Sequence, residues 1–471
     1  MRLQIKFILP VVIPLLLLLI PSEYFPFEGI TLMQQRTIAL FMFAALCWVL
    51  EPIPIYATSV SVIVLELLLM SNKGIVWFKQ GAGTPEFGEL LSYTEIMATF
   101  ANPIIMLFLG GFFLAMAATK YHLDVNLARV LLKPFGTKTS HVMAGIMLIT
   151  AIFSMFMSNT ATTVMMLAIL TPIILHFKPE DPGKIAFALC IPVAANVGGI
   201  GTPIGTPPNA IALRYLTGEN LITFGEWMSF AVPFVIVMLI IAWRILLWCF
   251  PADEKTIAID IDSKFSTKPE AIVVYLTFIT TIVLWLMGSR LGMNSYTVAM
   301  IPVALFSMLK IITKEDLRMI SWDVLWLVSG GIALGLGLEK TGLASVLVNS
   351  IPFERFAAEI VLVGAALLCF AMANFMSHTA TANLLMPIMA ALGVSMSSLE
   401  SLGGQSTLIL LITFSASLGM SLPISTPPNA LAHATGLVSS HQMAKTGVLI
   451  GLLGVALSFV MVWILRLTAF I

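Results

Sequence analysis

The sequence predicts an all-α polytopic membrane protein with about 11 transmembrane helices, two re-entrant hairpins and two broken helices in an inverted-topology repeat. Three observations carry this. Of 471 residues, 59% are hydrophobic and 10% are charged, a balance that leaves no soluble domain of useful size. Apolar stretches near the roughly 20 residues needed to cross a bilayer recur along the whole chain. The second half repeats the first.

Residues 1–35 supply an N-terminal helix and loop. "MRLQIKFILPVVIPLLLLLIP" has the basic start and apolar run of a signal peptide but no small-x-small cleavage site, so it reads as a retained first helix. Apolar cores follow at 37–50, 55–70 and 103–118, and later at 227–250, 271–288, 297–309, 324–338 and 448–471.

Four stretches do not fit simple spans. No Asp, Glu, Lys or Arg lies between Lys138 and Lys178, too long for one crossing and short for two with a turn. A hairpin over 139–177 fits, with Ser158, Asn159 and Thr160 at its tip. The stretch between Glu359 and Glu400 has the same form, giving a hairpin over 357–395 with Ser377, His378 and Thr379 at its tip. Each hairpin precedes an uncharged segment rich in Gly and Pro, "VAANVGGIGTPIGTPPNAIA" and "SASLGMSLPISTPPNALA". Pro removes a backbone donor and Gly weakens a helix, so these are broken helices, 185–213 and 404–435.

Ser158 and Ser377 are 219 residues apart. Thr206-Pro207-Pro208-Asn209 and Thr426-Pro427-Pro428-Asn429 are 220 apart, as are the glycine pairs Gly110-Gly111 and Gly330-Gly331, read as close-packing positions. One unit is therefore used twice, over 36–250 and 271–471, with a cytoplasmic linker at 251–270. Corresponding points are separated by an odd number of crossings, so the second copy enters the membrane inverted. Arg2 and Lys6, the turn carrying Lys120, Arg129, Lys133 and Lys138, and the turn carrying Lys310, Lys314 and Arg318 are the most basic. The positive-inside rule makes them cytoplasmic, so the N-terminus is cytoplasmic, the C-terminus is extracellular, and the hairpins enter from opposite faces.

Unwound backbone at membrane depth must lie inside protein or beside water, so both tips and both breaks should share one polar cavity. Ser, Thr and Asn cap helices and Pro suits the first turn, so the tips and the TPPN motifs are places where helices restart. Each restart offers free N–H groups and about half a positive charge, on the order of +2 for four such ends. No Lys or Arg lies in the four stretches. This chemistry suits a small dianion. Freed carbonyls with the Asn159 carboxamide and the Ser154 hydroxyl could hold sodium beside it, whereas His378 offers no oxygen at the second tip.

Other classes are poorly served. Net charge is zero, which gives nucleic acid no basic surface. Cys47, Cys190, Cys249 and Cys369 are scattered singly in apolar segments and read as buried small residues. A cation/proton antiporter needs carboxylates near the crossing, and the four stretches have none; "GGIGTPIG" lacks the spacing and strand context of a dinucleotide loop. No enzyme activity or organic cofactor is expected. Arg244 reads as snorkelling to the cytoplasmic end, and Glu66 as near enough to the outer end of its segment to meet water or pair across helices. His141 and His176 read as interfacial.

With both tips and both TPPN breaks assembled, the chain resembles the divalent anion/sodium symporter (DASS) family of di- and tricarboxylate carriers over nearly its whole length. The signature is Ser158-Asn159-Thr160 and the variant Ser377-His378-Thr379. The resemblance implies a homodimer in which a scaffold holds a moving part, working as an elevator. The substrate would be held by Ser158, Asn159, Thr160, Thr202, Pro203, Ser377, His378, Thr379 and Pro423. Sodium, the candidate coupling ion, would sit at Ser154, Ser158, Asn159 and Gly199, with a second site near His378 and Gly419 that lacks one side-chain oxygen. The expected activity is plasma (inner) membrane transport of C4/C5 dicarboxylates (succinate, malate, fumarate, 2-oxoglutarate) by exchange, with sodium-coupled di-/tricarboxylate symport as the alternative.

Overall fold

The structure, a computed structural model, describes residues 2–21, 24–25, 29–174, 177–178, 180–257, 264–350 and 353–471. His176 and linker residues 258–263 lie outside these. Among the described residues the regular structure is helical, apart from two isolated bridges, Ser71 with Leu91 and Lys138 with Thr256.

The chain opens with α1 (Arg2–Leu19), α2 (Leu32–Leu50), α3 (Ile55–Leu69) and α4 (Pro103–Lys120). There follow α5 (Thr139–Phe156), α6 (Asn159–Ile174), α7 (Gly183–Gly199), α8 (Pro207–Leu213) and α9 (Phe224–Cys249). The second half has α10 (Pro269–Met287), α11 (Ser295–Met308), α12 (Trp322–Lys340), α13 (Ala358–Phe375), α14 (His378–Ser395), α15 (Gly404–Ser417), α16 (Pro427–Ala434) and α17 (Ser440–Leu467). Eight helical stretches are long and apolar enough to cross a membrane, and six shorter apolar helices accompany them among the described residues.

Local chemistry sets several helix starts. Thr31 with Gln34, Thr223 with Glu226 and Ser439 with Gln442 form reciprocal capping boxes at α2, α9 and α17, satisfying orphan donors where the chain leaves polar surroundings. Close helix contacts are set by glycine. A Cβ on Gly110 would lie 2.3 Å from the Ala299 carbonyl oxygen on α11, and one on Gly330 would lie 2.3 Å from Ser59 Cβ on α3. Thus α4 packs on α11 and α12 on α3, the same kind of contact made twice, each time between the two repeats.

The first hairpin is α5 turning into α6 at Met157 and Ser158. Its two ends are tied to one segment: Thr139 N–H donates to the Lys255 carbonyl (3.0 Å), while Asp181 accepts from the backbone N–H groups of Asp253 (3.1 Å) and Glu254 (3.0 Å). Both ends of the hairpin therefore lie together. The second hairpin is α13 turning into α14 at Met376 and Ser377. The breaks separate α7 from α8 and α15 from α16. After each break the chain crosses to the other repeat: α8 packs on α14 and α15, and α16 on α6 and α7.

Arg244 is exposed, its guanidinium 4.8 Å from the Trp243 ring centroid. Glu66 is kept from water, and the charged group that acts on it is Arg214, across the helices. It is fully buried and neither carboxyl oxygen has a hydrogen-bond partner among the described residues. The reason is packing: α12 covers α3 along its length, and Gly337 leaves the room, since a Cβ there would lie 2.9 Å from Glu66 Oε1. The four cysteines are free, three of them buried.

Candidate substrate and cation site

Both tips and both breaks meet at one cavity of about 360 Å³. Its lining includes Ser158, Asn159 and Thr160 from the first tip, Ser377, His378 and Thr379 from the second, and Thr206, Pro207, Thr426, Pro427 and Pro428 from the breaks. Among the described residues no Lys or Arg lines it. Positive potential comes instead from helix starts. Ser158 Oγ accepts the Ala161 N–H and Ser377 Oγ accepts the Ala380 N–H, both at 3.2 Å, so each serine caps the return arm of its hairpin. These arms are 16 and 18 residues long, enough for a full terminal dipole, while α8 has only 7 residues and adds less.

The breaks are held by their asparagines. Asn209 Nδ2 donates to the carbonyls of Gly199 (3.1 Å), Ile200 (3.2 Å) and Thr202 (2.7 Å), and Asn429 Nδ2 to those of Met420 (2.7 Å) and Leu422 (3.1 Å). Buried carbonyls that no longer sit in a helix are thereby satisfied. The TPPN asparagines thus act as internal braces behind the cavity. Thr426 Oγ1 caps α16 by accepting the Asn429 N–H at 3.2 Å; Thr206 stands at the equivalent place without a side-chain cap.

At the first tip, Ser154 Oγ lies 2.6 Å from Asn159 Oδ1 and 2.8 Å from the Ala195 carbonyl oxygen. One hydroxyl proton faces two acceptors, so the oxygen cluster has spare acceptor capacity, which a small cation satisfies. Gly199 closes against it: a Cβ would fall 2.8 Å from Asn159 Oδ1. A sodium ion fits this donor set. At the second tip the equivalent positions are Ala373 and His378. His378 Nε2 is 2.8 Å from the Gly419 carbonyl oxygen. A carbonyl only accepts, so Nε2 carries the proton and donates. The imidazole takes the carbonyl an ion would need, and a Cβ on Gly419 would lie 2.4 Å from the Ala373 methyl. Sodium does not fit there.

Thr202, Pro203 and Pro423 are not among the residues lining this cavity. Thr202 is fully buried and its hydroxyl donates to the Met155 carbonyl, tying break to hairpin. Pro203 lines a separate cavity with Leu107, Phe224 and Trp285. The Met155 bond engages the Thr202 hydroxyl, and Pro203 packs in the apolar cavity, so neither lies in the lining shared by the tips.

The cavity also takes residues the sequence reading did not single out: Asn196, Phe108 and Phe112, and at its open side Tyr56 and Asp323. Asn196 Nδ2 donates to Thr426 Oγ1 (3.2 Å) and Asn429 Oδ1 (3.1 Å), joining the first repeat to the second break. As the only carboxamide in α7, it carried a sequence signal. Tyr56, Phe108, Phe112 and Asp323 gave none, because only the fold brings their helices to the tips.

A helical bundle that gathers two hairpin tips and two broken helices around one cavity, with no Lys or Arg in its lining among the described residues, is the architecture of a membrane transporter rather than an enzyme. The sequence matches the family described as "Sodium:sulfate symporter transmembrane region" over residues 2–469, and the chain belongs to that family. A sodium-dependent dicarboxylate transporter of Staphylococcus saprophyticus is 31% identical, covering 97% of this chain and 90% of its own length. Its namesake in Staphylococcus aureus strain USA300 is 29% identical, with coverage of 96% and 89%.

Proposed function

We propose that this protein carries C4/C5 dicarboxylates such as succinate, malate, fumarate or 2-oxoglutarate across the plasma membrane, coupled to sodium at Ser154, Ser158, Asn159 and Gly199. The substrate class is supported by the names of the relatives and by a cavity whose positive potential comes from helix starts alone. The observation that carries the coupling is the difference between the tips. Equivalent positions hold Ser154 and Asn159 around an oxygen cluster on one side, and Ala373 and His378 closed onto Gly419 on the other. The carrier therefore binds one sodium fewer than a carrier with two such sites.

Exchange of one dicarboxylate for another is the second reading, and His378 is what favours it. An imidazole that stays with the protein substitutes for an ion without dissipating its gradient.

The transport cycle is an elevator in a homodimer. The hairpins and broken helices pack mainly on one another and on α9 and α17, and move as a body against α2, α3, α4 and α10 to α12. The open side of the cavity is lined by the first turns of α3 and α12, at Tyr56 and Asp323, which the basic loops assign to the cytoplasm. This is the inward-facing state, with the hairpins re-entering from opposite faces.

Purified protein in liposomes tests the reading. Labelled succinate entering empty liposomes only under an inward sodium gradient, without cooperativity in sodium, is the expected result. Uptake that ignores sodium and requires internal dicarboxylate selects exchange. Failure of every C4/C5 dicarboxylate in both formats removes the substrate class.

A further inference from the structure

The repeat lets each feature at one membrane face be compared with its counterpart at the other, and one pair is unequal. The scaffold ends match: Lys120 on α4 pairs with Asp316 of the second repeat (2.5 Å), and Lys340 on α12 pairs with Glu95 of the first (3.0 Å). The passages beside them do not match.

Along α4 a vestibule of about 310 Å³ runs past Phe112, Ala115, Met116, Thr119 and Lys120 to Ser158 and Ala161 of the first tip, sharing Phe112 and Ser158 with the substrate cavity. The same face of α12, at the 220-residue offset, is Ile332, Gly335, Leu336, Glu339 and Lys340. There the space is filled by Arg214, the C-cap of α8. Its Nη1 donates to the Ile332 carbonyl, its Nη2 lies 3.4 Å from Glu339 Oε2, and its guanidinium lies over the Tyr215 ring at 5.5 Å. The guanidinium occupies the room that Gly335 leaves, and a Cβ there would fall 2.5 Å from Nη1 and oblige it to shift. A cavity of about 340 Å³ reaches Arg214 and touches none of Ser377, His378 or Thr379. Behind it, Met376 and Ala380 are buried in an apolar cluster with Leu334 and Leu338. The counterpart of Arg214 in the second repeat is Ala434, too short to fill the vestibule on the other side.

We infer that Arg214 is the lock of the closed passage, a positioning residue that holds α8 to α12 and must leave Ile332 and Glu339 before the second tip can open. Its side chain is 13% exposed whereas that of Glu339 is 71% exposed. The carbonyl bond therefore carries the lock and the surface ion pair adds little. Losing a charge-assisted bond present in only one of two states shifts their populations.

The inference rests on the two-state carrier proposed above, which succinate uptake by the parent protein checks separately. The test uses full-length protein lacking its four cysteines, carrying a single reporter at Ala380→Cys on the second tip or Ala161→Cys on the first, labelled with a membrane-impermeant maleimide added to both faces. Arg214→Ala should raise Ala380→Cys labelling by roughly tenfold and lower Ala161→Cys labelling. Gly335→Ala, which displaces the guanidinium without removing its charge, should do the same, and Glu339→Gln should change labelling less than threefold. Misfolding would raise both reporters together, and that result, or unchanged labelling in Arg214→Ala and Gly335→Ala, overturns the lock.

Discussion

Ser154 and His378 show how single side chains set what a tip can hold. The Ser154 hydroxyl faces two oxygens with one proton, and removing it strips a neutral ligand from the ion. A hydrogen bond or ligand contact to a charged group contributes about 1.5 to 3 kcal/mol, so Ser154→Ala should raise the sodium concentration for half-maximal uptake by roughly 10- to 100-fold, with succinate affinity at saturating sodium changed far less. Sodium titration of liposome uptake measures both. At the other tip, His378→Asn restores a side-chain oxygen and frees the Gly419 carbonyl. It should steepen the sodium dependence, seen as a higher Hill coefficient, although Ala373 still withholds the hydroxyl. An unchanged sodium response would show that the imidazole does not stand in an ion's place.

At the scale of elements, the breaks and hairpin bases depend on a few buried acceptors and donors. Asn209→Ala leaves the Gly199 carbonyl without its donor, while Ile200 keeps the Trp227 indole N–H and Thr202 the Gly205 N–H, and an unsatisfied buried group costs about 1 to 3 kcal/mol. The variant should melt several degrees lower in detergent, followed by intrinsic fluorescence. Asp181, in the loop at the base of the first hairpin, is a second brace. Burial alone would raise its pKa, but the N–H groups of Glu254, Gly183 and Asp253 outweigh this and hold it below the ordinary carboxylate value. Its contribution is therefore complete above the unfolded-state pKa of about 3.9 and is lost as pH falls through the lower folded value. Asp181→Asn should lower the melting temperature equally at pH 6 and pH 8, and the difference should shrink only in strong acid.

For the whole molecule, the apolar stripe Ile272, Leu276, Ile279 and Val283 on α10 is exposed, as expected of a face turned to lipid or to a second copy. The proposed homodimer predicts a native mass of twice the chain in mild detergent, measurable by light scattering or native mass spectrometry. A monomer of full transport activity would separate the elevator motion from dimerisation.

Much of this design was legible before any coordinates. Gly-Pro interruption, the absence of charge and the 219- to 220-residue offset placed the hairpin tips at Ser158-Asn159-Thr160 and Ser377-His378-Thr379, beside the turns found at Met157 and Met376, and the restarts at the two TPPN motifs. These features follow from local chemistry: a helix cannot pass Pro-Pro, and a charge cannot sit unpaired in lipid. What only the tertiary structure decided was which atoms meet. Thr202 and Pro203 lie outside the cavity lining while Tyr56, Phe112, Asn196 and Asp323 belong to it; His378 claims the Gly419 carbonyl; Arg214 reaches across to Ile332. Such meetings depend on helices hundreds of residues apart and on gaps left by single glycines, so periodicity and spacing along one chain carry no record of them.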